Sequence, residues 1–463
     1  MKRRTITIVA LVLVFARCVA AAQAAEKTPA ADEKPAQPPA VKFEAVGLTE
    51  PQKLEPGTTA VMVTFENVPY RMIFRPPWLT GFIGEKNIIC APGYAETADA
   101  KNCDGPAEVQ QDKANRYARM WIEKQSAARI IVRTRAALCD KNGVIAHNDV
   151  PSGSPYGNGD WVDERFTIYP DGTHVRVVKI YTGLAEAAAA HWVDGKPPFE
   201  TQETTIINGD GRPPTDDIDV NALTLIRMNG EAKTIPFKPY PPEGALLKDA
   251  NIQVVNLETR FKPFTIVPDT DPKIQAFRGP WADHEHLGER VFVGWPSGAK
   301  WDKYYTVALS HVIDWRFHER TKNTLTSIYL IGMTDAATDA TKAKALVPLA
   351  RSWLRAPKLT PAGAGTMSAG FEKKERAYVL RALGTAGKRR VGFAIAASED
   401  SPLVDPVFVI RGWDGAAPAV KVNGQAAEAG KNLRIGVERG KAGDDLVIWM
   451  KMSSIWPMQF SVE

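Results

Sequence analysis

Residues 161–181, WVDERFTIYPDGTHVRVVKIY, read as two strands around a reversal. Tyr169-Pro170-Asp171-Gly172 supplies the turn, because Pro sets φ at about −65° and Gly closes the reversal without a Cβ penalty. Alternation along the first strand sends Val162, Phe166 and Ile168 to one face and Trp161, Asp163, Arg165 and Tyr169 to the other. One face is thus a core face, and the other sets aromatic rings among charges.

The same pattern recurs along the chain. TTAVMVTF (58–65), ARIIVRTRAAL (128–138), ETTIIN (203–208), NIQVVNL (251–257), PVFVIRGW (406–413) and DLVIWMKM (445–452) are short, rich in β-branched and aromatic residues, and bounded by turn formers. The best helical segment, TDATKAKALVPLARSWL (338–354), contains Pro348, which limits the expectation to short turns. The fold class is mostly β: a large antiparallel β super-sandwich over 43–355, followed by a smaller β-sandwich over 356–463.

Residues 1–24 have a basic start (Lys2, Arg3, Arg4), an apolar run and a small-residue end at Ala22-Gln23-Ala24, the pattern of a signal peptide. Residues 25–42 are Pro/Ala-rich and read as a disordered linker. A secreted or periplasmic location follows, with no integral membrane segment left after cleavage. Removing Lys2, Arg3, Arg4 and Arg17 with no acid lowers the formal charge from +5 to +1, so nucleic acid is not an expected partner. An anionic substrate would need a local basic cleft. Of the cysteines beyond residue 24, Cys90 and Cys103 would close a plausible disulfide loop, with unpaired thiols as the alternative.

No Gly-x-Ser-x-Gly elbow, HExxH or phosphate loop is present, and no cofactor is expected. The seven histidines all fall between His147 and His318. His284 and His286 alternate within DHEHLGER and, with Glu289, are weak ligands for a divalent metal, equally readable as a polar rim or as substrate contacts. His311 shares a strand face with Val307 and Leu309, either as a hydrogen-bonded core residue or as a neutral base lining a cleft beside Tyr305. A Trp beside Asp and Arg suits a sugar, with Trp161 stacking on the ring and Asp163 and Arg165 meeting hydroxyls. Cleavage of such a chain takes one of two forms. Acidic glycans undergo β-elimination with a His or Tyr base and a neutralised carboxylate; hydrolysis needs two carboxyl groups, for which Asp163, Glu164 and Glu203 are present.

GDWVDERFTIYPDGTHVRVV (159–178), QETTIINGDGRPPTDDIDVNALTL (202–225), IYLIGMTD (328–335), LVPLARSWLRAPKL (346–359) and IAASEDSPLVDP (395–406) resemble secreted super-sandwich polysaccharide lyases of the ulvan or uronate-cleaving type. The resemblance implies a cleft for an anionic polysaccharide, cut by β-elimination. Gln202 and Glu203 match a Gln-Glu pair on a central strand, Arg212 a following loop, and Ser310-His311 a Ser-His of a later sheet. Where that group carries Asn-His-Trp-Pro this chain has Val293-Gly294-Trp295-Pro296, keeping Trp295 as a stacking ring and losing the polar pair. The expected catalytic set is His311, Tyr305, His147, Gln202 and Glu203, with Arg116, Trp161, Asp163, Arg165, Arg212 and Trp295 binding substrate. A glycan-binding protein without catalysis and a glycoside hydrolase are the alternatives.

Overall fold

A computed structural model describes residues 46–463 apart from 49–51, 56–57, 66–67, 76–78, 98–99, 113, 185–198, 208–213, 240–246, 269–273, 277–305, 313–317, 384–388, 414–417, 431 and 441–442. Within 46–60 and at 79, 275–276 and 306–312 it describes backbone alone. The signal-peptide and linker segments lie outside the described residues. So do Arg212, His284, His286, Glu289, Trp295 and Tyr305.

Two large antiparallel sheets face each other. The ten-stranded one runs, in spatial order, through Ala232–Ile235, Ile218–Ile226, Ile252–Leu257, Lys262–Ile266, Thr324–Thr334, His174–Tyr181, Trp161–Ile168, Ile130–Ala137 and Arg119–Gln125, with Glu319–Arg320 paired to the side. The nine-stranded one includes Thr58–Phe65, Arg71–Arg75, Leu79–Ile83, Ile89–Ala91, Glu203–Ile207 and Thr306–Val312. Val63, Met72, Phe74 and Phe82 from one sheet and Val132, Val162, Phe166, Ile168 and Ile180 from the other make the core between them. The face read from alternation in residues 161–168 is the buried one. His174 joins this core between Phe82 and Phe166, and burial pushes its imidazole down to about 3, so it stays neutral.

The opposite face of the ten-stranded sheet is divided. Over one half, Val175, Ile226, Val254, Phe264 and Leu330 are covered by Leu346, Val347, Ala350 and Trp353 of helix Asp339–Leu354. This sixteen-residue helix corrects the expectation of short turns. It runs through Pro348 because a reciprocal Thr338–Thr341 capping box starts it and its apolar side is buried. Pro348 leaves the carbonyl of Lys344, an exposed residue, without its helical donor, and water can solvate that group.

Past the helix, two five-stranded sheets contain only strands from Leu359 onward and enclose a second core around Tyr378, Phe393, Phe408, Trp449 and Phe460. The described residues nonetheless belong to one compact unit. Two turns of the ten-stranded sheet reach into this C-terminal sandwich. Ala128 and Tyr169 belong to its apolar core. Tyr169, read as facing away from the core, is fully buried, with its hydroxyl donating to the Glu375 carbonyl. Arg129 donates from Nε and Nη2 to both oxygens of Glu438 at 2.7 and 2.8 Å and from Nη1 to Glu375 at 2.7 Å. Asp171 of the Tyr-Pro-Asp-Gly turn pairs with Arg376 at 3.2 Å. Close approach requires Gly436, since a Cβ there would lie 2.4 Å from Ser126 Oγ.

Removing one member of a buried ion pair strands the other charge. Arg129→Met is therefore expected to lower the unfolding free energy by about 3–5 kcal/mol in urea titrations. Burial alone would raise the Glu375 carboxyl, but Arg129 and Arg165 outweigh it and hold the group below its ordinary range. A carboxylate lowered on folding contributes stability above its unfolded pKa and loses it as pH falls through the folded value. The Arg129→Met protein should accordingly lose less stability than the parent on acidification from neutral pH.

Candidate functional site

The uncovered half of the sheet face carries the aromatic and charged residues. Strand register sets them in rows: Arg135 lies opposite Arg119 on one side and Asp163 on the other, Arg133 opposite Trp121 and Arg165, and Trp161 opposite Ala137 and Tyr181. Lys179 stands across from Asp163. Trp121 is 38% exposed, with the Arg133 guanidinium 5.6 Å from its ring centroid. Arg165 is held by Glu123 at 3.2 Å and Glu375 at 3.1 Å, which ties this face to the C-terminal sandwich.

Trp161 is not the open platform expected from alternation. It is only 7% exposed, because Tyr156 and Tyr117 pack against it at 5.5 and 5.9 Å and its Nε1 donates to the Asn158 carbonyl. The loop before the strand covers the ring, and Trp121 takes the exposed position. Asp163 is buried too, accepting from the Tyr156 hydroxyl at 2.8 Å, and desolvation raises its carboxyl above the ordinary value. Its other oxygen has no hydrogen-bond partner.

One residue before Trp161, Asp160 stands opposite Leu138 and Ala146 on the inner side of the sheet, and there it meets His147. Its Nδ1 is 2.9 Å from Asp160 Oδ2, and that fully buried carboxylate oxygen also accepts from Thr97 Oγ1 at 2.9 Å. The backbone of His147 is in the left-handed region at φ 51°, uncommon for a residue with a Cβ, and its N–H donates to Asn102 Oδ1 at 2.9 Å. With Nδ1 committed, Nε2 is the nitrogen left for solvent or substrate, and the side chain is 17% exposed. The hydrogen bond to Asp160 raises the imidazole pKa above its ordinary value, against a smaller opposing effect of burial. A buried carboxylate orienting an imidazole in this way fixes the tautomer and strengthens the base.

Other expected site residues lie elsewhere. Arg116 is exposed and rests against Gly143, in the same hairpin region as His147, where Tyr117 donates to the Gly143 carbonyl at 3.0 Å. Gln202 is fully buried, donating to Thr204, with Oε1 lacking a hydrogen-bond partner. Glu203 pairs in the ladder with His311, whose backbone alone is described. Burial, then Glu96, Glu108 and Glu203, raises the pKa of Tyr94, whose carbonyl accepts from Arg176 on the inner face of the ten-stranded sheet. Asp163 is on the outer face, so the sheet separates the two carboxylates considered for hydrolysis. Glu164 is likewise turned inward, paired with Arg176.

Sequence reading missed one inner constellation. A three-stranded sheet of Phe199–Glu200, Glu96–Thr97 and Ala107–Glu108 aligns Glu200, Glu96 and Glu108 in a row. The Tyr94 hydroxyl lies 2.5 Å from Glu96 and 2.8 Å from Glu108, with one proton to give to either, while burial and then Glu108 push Glu200 up to about 8. Strands of two residues leave no periodic signal by which to find them. The expected Cys90–Cys103 bridge is absent: Cys90 is buried with Ile88, Ile206 and Ile218, whereas Cys103 packs against the other core and points its Sγ at the Val144 carbonyl, 3.5 Å away. Burial raises all three thiols, Cys103 to about 11 and Cys139 to about 12, so none is a ready thiolate. Among the described residues no group of three His, Cys, Asp or Glu could hold a metal ion, and no helix is long and apolar enough to cross a membrane.

The chain matches no protein-family model, and no curated protein matches it in sequence. The reading of function therefore rests on residue chemistry. Proton NMR titration should place the His147 pKa above 6.5, the ordinary value, and Asp160→Asn should bring it down. A His147 that titrates identically in both proteins would contradict the pairing.

Proposed function

We propose that this protein is an exported carbohydrate-active protein that cleaves an acidic, uronate-containing polysaccharide by β-elimination. The observation that carries this reading is the Asp160–His147 pair, an imidazole oriented by a buried carboxylate; the outer face of the adjoining sheet bears Arg119, Arg133, Arg135, Lys179 and Trp121. Those cations supply the local basic surface that a near-neutral chain otherwise lacks, and Trp121 offers an exposed ring for a sugar's C–H face.

In this reading His147 Nε2 takes the proton from the carbon next to the uronate carboxylate. The C–H electrons form the new ring double bond, the bond to the leaving oxygen breaks, and the imidazolium holds the proton that this oxygen requires. Asp160 stabilises the imidazolium without taking its proton, as a buried carboxylate on Nδ1 does elsewhere. The cations of the outer face hold further carboxylates of a polymer that runs from His147 over the edge of the sheet. The separation of Asp163 from Glu203 by the sheet disfavours hydrolysis.

Oligouronates incubated with the protein should yield unsaturated product, followed by its ultraviolet absorbance. His147→Gln should slow that rate by about 10²- to 10⁴-fold, the usual contribution of a positioned base. Because the imidazole must be neutral to act, the rate should climb as pH rises through the raised His147 pKa. Binding with no product at any pH would leave a glycan-binding protein; new reducing ends without absorbance would mean hydrolysis.

A further inference from the structure

Two arginines on the outer face oppose each other in the ladder, and neither is closed into a direct ion pair among the described residues. Arg135 and Arg119 are direct cross-strand partners, a placement that is unfavourable for like charges. Among the described residues neither has a carboxylate oxygen within 4.0 Å, in contrast to Arg165, which has two carboxylate partners, and Arg129, which also has two. Arg119 is exposed and donates from Nη1 only to the carbonyl of Ala118, at 2.7 Å. Arg135 is half-buried, its Nε is buried with no hydrogen-bond partner, and its guanidinium lies 4.0 Å from the centroid of the Tyr156 ring. Asp163, directly across from Arg135 on its other side, accepts from the Tyr156 hydroxyl and is shared as a longer-range counter-charge by Arg133, Arg135 and Lys179.

From this we infer that Arg119 and Arg135, with Tyr156 as the wall that orients Arg135, form a built subsite for a single oxyanion carried on a hydroxylated ring. The inference rests on the glycan reading above and deepens it by naming the anionic group as what the face selects. A guanidinium over a ring keeps its in-plane N–H groups for acceptors at its edge, and arginines at opposed positions of neighbouring strands can together meet the oxygens of a carboxylate or a sulfate half-ester. A bound oxyanion would offset the repulsion between the two opposed guanidinium groups. Both groups share this chemistry, and affinity distinguishes them.

The test uses the full chain carrying His147→Gln, which suppresses turnover. Isothermal titration compares three probes of equal length: an oligoglucuronate, a sulfated dextran oligosaccharide and a neutral dextran oligosaccharide. At least one anionic probe should bind about 10-fold or more tighter than the neutral one. Adding Arg135→Gln should weaken that probe by about 10- to 100-fold and leave the neutral one unchanged, the range expected for lost charge-assisted hydrogen bonds. Preference for the oligoglucuronate identifies a carboxylate, and preference for the sulfated probe a sulfate half-ester. Equal binding of all three, or unchanged binding of the anionic probes by Arg135→Gln, overturns the subsite. Because the substitution deletes a like-charge contact, its melting temperature should stay within a few degrees of the parent. If it fails to fold, the exposed Arg119→Gln decides the matter by the same comparison. A positive result here with no unsaturated product from the parent chain would remove β-elimination and leave the oxyanion subsite standing.

Discussion

The guanidinium of Arg129, gripped by Glu438 and Glu375 and nearly excluded from water, is the contact on which the relation between the two sandwiches depends. A buried charge costs several kcal/mol in desolvation unless it is paired and hydrogen-bonded throughout. Arg129 meets that demand only when the turn at Ser126–Arg129 is seated against the strand Leu433–Glu438. Asp171, paired with Arg376 and close to Lys451, extends the requirement to the neighbouring turn. An apolar plug would tolerate sliding by a fraction of a side chain, whereas paired charges do not. The turn ends of the outer strands are thereby held in place, and with them the registers that align Arg119, Arg135 and Asp163.

The same sheet is asked to satisfy three environments. Its inner face is apolar and buried along most of its length, its outer face is covered by the helix on one half, and the other outer half is left to polar and aromatic side chains. Alternation lets neighbouring residues of one strand serve opposite ends: Glu164 is locked inward against Arg176 while Asp163 and Arg165 face out. On the outer half, charges that could pair among themselves do so only in part. Arg165 is neutralised across the sandwich boundary, Asp163 is capped by Tyr156, and Arg135 and Arg119 make no direct ion pair among the described residues. Such a local conflict with stability is the pattern expected where a surface is shaped for a ligand.

Much of the architecture was legible because its signals are local. The Tyr-Pro-Asp-Gly turn and the two-residue alternation in 161–168 are determined by a few neighbouring residues, and they specify a hairpin and its buried face. Helix Asp339–Leu354 was misjudged because Pro348 is a local penalty, whereas burial of Trp353 and Leu346 is a tertiary gain. Trp161 was misjudged for the converse reason: its alternation is right, and a loop five residues upstream lays Tyr156 over it. Asp160 carried no motif, and its partnership with His147 depends on a loop returning through a left-handed backbone. The alternating arginines of Arg133-Thr134-Arg135 were visible in the sequence, but their opposition to Arg119 and Arg165 required the register of three strands.

Two neighbouring places carry the proposed function: the outer face of the strands Arg119–Gln125, Ile130–Ala137 and Trp161–Ile168, and the His147–Asp160 pair at the inner side of the same sheet. Hydrogen–deuterium exchange of the His147→Gln protein, with and without a saturating oligoglucuronate, tests it most directly. Protection is predicted in the peptides covering 116–125, 130–137 and 144–163, and not in those covering 203–207 or the C-terminal sandwich. Protection centred on 203–207, with the outer strands unchanged, would contradict it.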